Sequence, residues 1–224
     1  MKLGTVVLCA WAMTALPSLA DEGASPEARA FLKEWASAMA EVRSLRVRFT
    51  QTKTLRLLRK PRVSEGLTVL KGERLHMSVT RDGAPEIELA VGDGEARLYY
   101  PKRGTVEVYT LDGGPPPESP FPLFSGDVAE LERTHALTLT RAEGRPDELV
   151  MVPRDPESST AKVVMRFREF KVVEVEQTTR RGDSVRIEVK EFAVNAAVDD
   201  AELELAVPEG TKVVDGVSGR GAKR

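Results

Sequence analysis

Apolar residues change their spacing once, early in the chain, and that change separates a helix from a sheet. Between residues 27 and 42, Phe31, Trp35, Met39 and Val42 recur at intervals of three and four, with Arg29, Lys33, Glu34 and Glu41 between them. That period predicts one amphipathic helix with a bulky apolar stripe. Ser25 and Pro26 stand just ahead of it as an N-cap and a proline at the first helical position, where a missing N–H costs nothing. From Leu45 the period falls to two: Leu45, Val47 and Phe49 alternate with Arg46, Arg48 and Thr50, as in a strand with one buried face.

Strand-like runs follow at residues 67–70, 75–79, 87–91, 97–100 and 105–111. They are separated by Lys71-Gly72-Glu73, Arg81-Asp82-Gly83, Gly92-Asp93-Gly94 and the stretch from Pro101 to Gly104, all suited to tight turns. Residues 112–122 contain Pro115, Pro116, Pro117, Pro120 and Pro122 and cannot form a sheet ladder. Phe121, Leu123 and Phe124 lead into a short helix-compatible segment, 125–133, with Val128 and Leu131 on one side. Strand patterning resumes at 136–141, 148–152, 162–167, 171–178 and 184–192, with Arg181-Gly182-Asp183 as the turn between the last two. Pro208 to Thr211 reads as a turn before a final edge segment at Val213-Val214. The expected fold is mainly β with an α lid. It is an incomplete, strongly curved antiparallel β-barrel of about eleven strands, covered by the N-terminal helix and the short mid-chain helix.

The ends of the chain change the picture. Lys2, an apolar run from Leu3 to Leu16 and the small-residue exit Pro17-Ser18-Leu19-Ala20 form the pattern of a cleavable secretory signal over residues 1–20. Residues 21–215 are then expected to form a single domain, with 216–224 a disordered basic tail. The single cysteine, Cys9, falls inside the signal, so the mature chain has no disulfide or thiol. Cleavage removes one base, Lys2, and no acid from a chain of 33 basic and 35 acidic residues. A surface this balanced argues against nucleic acid as a partner.

Few residues suggest catalysis. His76 and His135 are the only histidines. His76 alternates with Leu75 and Met77 and reads as a solvated strand residue, whereas His135 sits at a helix-to-strand junction. A metal site, a cofactor and an ordinary nucleophile-plus-base pair are therefore not expected. Glu174 and Glu176 alternate with Val173 and Val175 as the outer face of a strand. Gly92-Asp93-Gly94 lies between two strands and reads as a turn, and there is no G-x-G-x-x-G. What remains is geometry. A curved sheet must hide its inner face, and the helix with the Phe121–Phe124 segment would either plug it or form a lid over an apolar cavity.

An ordered set of motifs runs along the chain: the helix before the first strand, Phe49-Thr50-Gln51, the second strand opened by Gly66, and Gly92-Asp93-Gly94 leading to Leu98-Tyr99-Tyr100-Pro101. Pro120 to Phe124 ahead of a short helix, Leu149 to Pro153, and Val207-Pro208-Glu209-Gly210-Thr211 with Val213 complete the set. Taken in this order, the set resembles the periplasmic outer-membrane lipoprotein carrier family, LolA. The resemblance implies a periplasmic carrier, active as a monomer, that shields lipoprotein acyl chains in an apolar cavity and performs no covalent chemistry. It implies acylated lipoproteins as cargo, an inner-membrane ABC-type lipoprotein release complex as donor, and an outer-membrane acceptor.

Alternation and the resemblance together assign Val47, Phe49, Leu67, Val69, Leu75, Met77, Leu89, Leu98 and Tyr100 to the cavity. Phe31, Trp35, Met39, Phe121, Leu123 and Phe124 are assigned to the lid. One departure stands out: the family's basic-residue-plus-proline pair after the second strand, whose arginine helps hold the lid closed, is replaced by Lys71-Gly72-Glu73, leaving Arg74 or Arg62 as substitutes. The family's bulky aromatic in the second strand is Val69 here. A carrier of another amphiphile, a sensor domain that binds lipoprotein and a regulatory partner, and an enzyme are the competing readings.

Overall fold

A computed structural model describes residues 24–111 and 128–216. The expected signal, the proline-rich stretch and all of the expected tail but Gly216 lie outside them, as do Phe121, Leu123 and Phe124. Helix α1 (Pro26–Ala40) starts where the sequence placed it: Pro26 opens the first turn and the Ser25 hydroxyl accepts the Ala28 N–H at 3.1 Å. It ends two residues short of Val42. Helix α2 (Val128–Thr134) precedes the strand that begins at His135.

The strands in chain order are β1 (Ser44–Thr54), β2 (Arg62–Lys71), β3 (Arg74–Arg81), β4 (Ala84–Gly92), β5 (Glu95–Tyr100), β6 (Thr105–Thr110), β7 (His135–Thr140), β8 (Asp147–Pro153), β9 (Thr160–Arg168), β10 (Lys171–Thr179), β11 (Ser184–Val194) and β12 (Lys212–Asp215). They form one twelve-stranded sheet in the order β12-β6-β5-β4-β3-β2-β1-β11-β10-β9-β8-β7. The two end strands do not pair, so the barrel is incomplete. The pairs are antiparallel except β12 with β6, which run parallel because the chain returns from β11 along the outside of the sheet.

Hairpins set this order. Asp82-Gly83 and Asp93-Gly94 both have two successive positive φ angles, the conformation of the tight turn whose twist matches that of its flanking strands. β1 pairs on both sides, with β2 and with β11, and so joins the two halves of the sheet. The first two strands are longer than their apolar runs suggested. β2 begins at Arg62 rather than at residue 67, because Ser64 and Gly66 face inward without an apolar side chain to mark them.

The core lies on one face of the sheet. Leu45, Val47 and Phe49 of β1, Met77 and Val79 of β3, Leu89 of β4 and Leu98 of β5 belong to the same contiguous buried cluster as Leu149, Met165, Phe167 and Ile187 from the other half. Phe31, Leu32 and Trp35 of α1 join that cluster. On the opposite face a 3₁₀ turn, Asp200–Leu203, straps β2 and β3. Its Asp199 and Glu202 form a reciprocal capping box, a D-x-x-E pattern visible in the sequence. Three ion pairs fasten it: Arg46 to Glu202, Lys71 to Asp200 and Arg74 to Glu204.

Candidate functional site

Cross-strand register decides which residues share the inner face. Val47 stands opposite Thr68, Thr68 opposite Met77, Met77 opposite Leu89 and Leu89 opposite Leu98. Phe49 is opposite Gly66, and Leu75 is opposite Leu70 and Val91, in the same set. Tyr100 follows Leu98 by two residues and packs against the same cluster. Of the nine residues expected on this face, the register therefore brings seven together. Val47, Phe49, Met77, Leu89 and Leu98 are each no more than 4% exposed, so the face is closed rather than open to water.

Leu67 and Val69 are a correction. Leu67 stands opposite Arg48 and Ser78, and Val69 opposite Arg46 and His76, on the outer face. Apolar character misplaced them: on β2 the inner positions are Ser64, Gly66, Thr68 and Leu70, and the outer apolar pair is hidden by other means. Val69 is 1% exposed because the strap, with its buried Leu203, lies over this part of the sheet. His76 lies on the outer face as expected, but it is mostly buried rather than solvated, with Nε2 3.4 Å from a Glu88 carboxylate oxygen. Its Nε2 and the Thr68 hydroxyl, which points into the core face, make no hydrogen bond among the described residues.

The helix is held by aromatic contacts. Phe31 meets Phe167 edge-on at 5.0 Å and stacks on Phe170 at 5.7 Å, and Trp35 meets Phe167 at 6.2 Å. The Trp35 indole N–H donates to the Phe170 carbonyl at 3.1 Å. Phe170 occupies a positive-φ position in the β9–β10 turn, a strained backbone for a bulky residue. Met39 is partly buried against the same cluster. Along the seam between α1 and β7 lies a cleft of about 280 Å³ lined by Glu27, Ala30, Phe31, Glu34, Leu139 and Arg141. The Arg141 guanidinium sits 5.7 Å from the Phe31 ring centre, a cation–π contact at its mouth.

Neither candidate arginine stands at the helix. Arg74 precedes the inward Leu75, faces outward and pairs with Glu204 at 2.6 Å. Arg62 is exposed, opposite Lys53 at the far end of the β1–β2 hairpin. His135 adjoins the α2–β7 junction, where its Nδ1 is 2.8 Å from the Thr134 hydroxyl. Burial pushes its pKa down, opposed by a hydrogen bond with the Leu131 backbone and reinforced by the Arg154 charge. Glu174 binds Arg166 and Arg186 on the outer face and is far from either histidine's strand in the sheet order.

Fold and site together define an open, curved β-sheet domain whose apolar inner face is closed by an amphipathic helix. A family model described as outer membrane lipoprotein carrier protein LolA matches residues 40–205, and the chain belongs to that family. An outer-membrane lipoprotein carrier protein of Chromobacterium violaceum is 28% identical over 132 residues, which cover 59% of this chain and 64% of the relative. The match thus spans less than two thirds of that relative's length. One from Dechloromonas aromatica is 27% identical over 219 residues, covering 96% of this chain and 98% of the relative. Among solved structures, an uncharacterized conserved protein from Thermus thermophilus superposes with a TM-score of 0.51 at 11% identity, covering 84% of this chain and 98% of the other, and shares the fold.

Proposed function

We propose that this protein is a periplasmic carrier that shields the acyl chains of lipoproteins and ferries them from the inner to the outer membrane. The observation that carries the reading is the one contiguous apolar cluster on the inner face of the sheet, to which β1, β3, β4 and β5 contribute and to which Phe31, Leu32 and Trp35 of the helix belong, the helix being held by aromatic packing and one indole hydrogen bond on Phe167 and Phe170. Membership of the LolA family and the carrier names of its relatives support it. Residues 1–20 act as the export signal in this reading.

The physics of such a carrier needs no bond to be made or broken, and the protein acts as a chaperone rather than an enzyme. An acyl chain exposed to water costs about 0.8 kcal/mol per CH₂ group, so crossing an aqueous compartment requires an apolar host. The inner face is already packed on its own helix. An entering chain must displace Phe31 and Trp35 from Phe167 and Phe170, and the packing lost in doing so subtracts from the affinity. Binding is thereby kept weak enough for an outer-membrane acceptor to exceed it, after an ABC-type release complex in the inner membrane has supplied the cargo. The α1–β7 cleft, lined by Phe31 and Leu139, is the entry route in this scheme.

A second reading, an envelope carrier for a different amphiphile, draws on one specific observation: Arg74 points to the outer strap and cannot lock the helix. Native mass spectrometry of the protein recovered from its own cell envelope separates the two. A co-purifying triacylated lipoprotein supports the first, and a bound amphiphile that is not a lipoprotein supports the second. Empty protein that also ignores added acylated peptides contradicts the first, and empty protein that also ignores added glycolipid contradicts the second.

A further inference from the structure

The β1–β2 hairpin ends in the most exposed large apolar side chain of the described surface. Leu57 is 97% exposed, Leu58 is 38% exposed, and Val63 at the start of β2 is 54% exposed. Single exposed leucines are ordinary, but this one does not stand alone. Between Gln51 and Ser64 the chain carries Lys53, Arg56, Arg59, Lys60 and Arg62 and not one acid, in a protein whose overall charge is slightly negative.

The tip is also built to hold its shape. Leu58 N–H donates to the Leu55 carbonyl at 2.9 Å, which closes a turn with Arg56 and Leu57 at its corners. The Arg56 N–H donates to Asp183 at 2.8 Å, and its guanidinium donates to the Arg181 carbonyl at 3.0 Å. These bonds tie the root of the hairpin to the β10–β11 turn and place exposed Arg181 beside it. These bonds fix the base from which Leu57 and Leu58 stand out, with exposed Arg56, Arg59, Lys60 and Arg62 beside them in the chain and the Asp183 carboxylate at the Arg56 N–H.

We infer that this hairpin tip docks the protein on an anionic phospholipid surface, with Leu57 and Leu58 entering the acyl boundary and Lys53, Arg56, Arg59, Lys60 and Arg62 meeting lipid phosphates. Two leucines ahead of a basic collar match the layering of a bilayer interface, apolar below and anionic above. A protein partner would need a preformed apolar pocket for a protruding leucine, whereas a bilayer offers one at every point of its surface. The lipid bound here is the membrane itself, not cargo, so the inference stands apart from the carrier reading.

The test is co-sedimentation of cargo-free protein with vesicles of phosphatidylglycerol and phosphatidylethanolamine, against vesicles of phosphatidylcholine alone. Wild-type protein pellets with the anionic vesicles and is released as salt rises. Leu57→Glu lowers partitioning by about tenfold. Arg59→Gln with Lys60→Gln lowers it by about thirtyfold, and both changes lie on exposed positions that the fold does not use. Val213→Glu, an exposed apolar residue on edge strand β12, leaves binding unchanged. The inference is overturned if wild-type protein fails to prefer anionic vesicles, or if the Leu57→Glu variant, folded by circular dichroism, pellets as the wild type does.

Discussion

The ring of Phe49 lies directly over Gly66 on the facing strand: a Cβ added at Gly66 would stand 2.1 Å from Phe49 Cζ. The two residues are cross-strand partners, so the glycine is the space that lets Phe49 lie flat on the inner face. Gly66→Ala must push the ring off its site, and its expected cost is about 1–3 kcal/mol, the usual penalty for overpacking. Denaturant unfolding measures it. In the Phe49→Leu background the same alanine should cost markedly less, since the ring it displaces is gone.

Trp35 is the only tryptophan after residue 20, and its indole is held between Phe167 and the Phe170 carbonyl. Its emission therefore reports the seat of the helix. Titration with a triacylated lipopeptide is expected to shift Trp35 emission in step with binding, and Trp35→Phe is expected to cost about 1 kcal/mol of stability through the lost hydrogen bond. Emission that stays fixed at saturating peptide would show that the helix does not move.

Thr68 puts an unsatisfied hydroxyl on the inner face between Val47 and Met77. Valine has nearly the same shape without the buried polar atom. Thr68→Val is expected to stabilise the cargo-free protein by about 1 kcal/mol, the cost of burying an unbonded hydroxyl. A thermal melt showing loss of stability would mean that the hydroxyl has a partner.

The outer strap should loosen in acid. The Asp199 backbone N–H and then Arg46 hold the Glu202 carboxyl below the usual glutamate range, and Lys71 does the same for Asp200. Because the folded values lie below the unfolded ones, these groups contribute fully above the unfolded values and lose their contribution as pH falls through the folded values, below about pH 4. Hydrogen exchange at the Glu202 and Glu204 amides, corrected for intrinsic rate, should show protection lost in that range while the sheet stays protected. Glu202→Gln should remove much of the change.

Much of this architecture could be read from alternation and turn chemistry. The helix announced itself through Phe31, Trp35 and Met39, and the meander through pairs such as Asp82-Gly83 and Asp93-Gly94. What escaped has a physical reason in each case. Leu67 and Val69 are apolar, yet they face outward, because the facing of β2 is set by pairing with β1 and not by hydrophobicity. The inner positions Ser64, Gly66 and Thr68 carried no apolar signal at all. The strap at Asp200–Leu203 shows a capping box in sequence, but nothing local reveals that Arg46, Lys71 and Arg74 lie beneath it. The hairpin tip at Leu57 was likewise invisible, because exposure is a property of the fold and not of the residue type.

The central claim is that acyl chains bind the inner face, and crosslinking to a triacylated lipopeptide tests it most directly. A photoreactive residue is placed in turn at Leu98, which faces inward, and at its neighbour Arg97, which faces out, and binding is confirmed in each case by Trp35 emission. The account predicts labelling of the acyl chains from position 98 and little from position 97. Equal labelling from both positions, or none from 98 while the peptide remains bound, would contradict it.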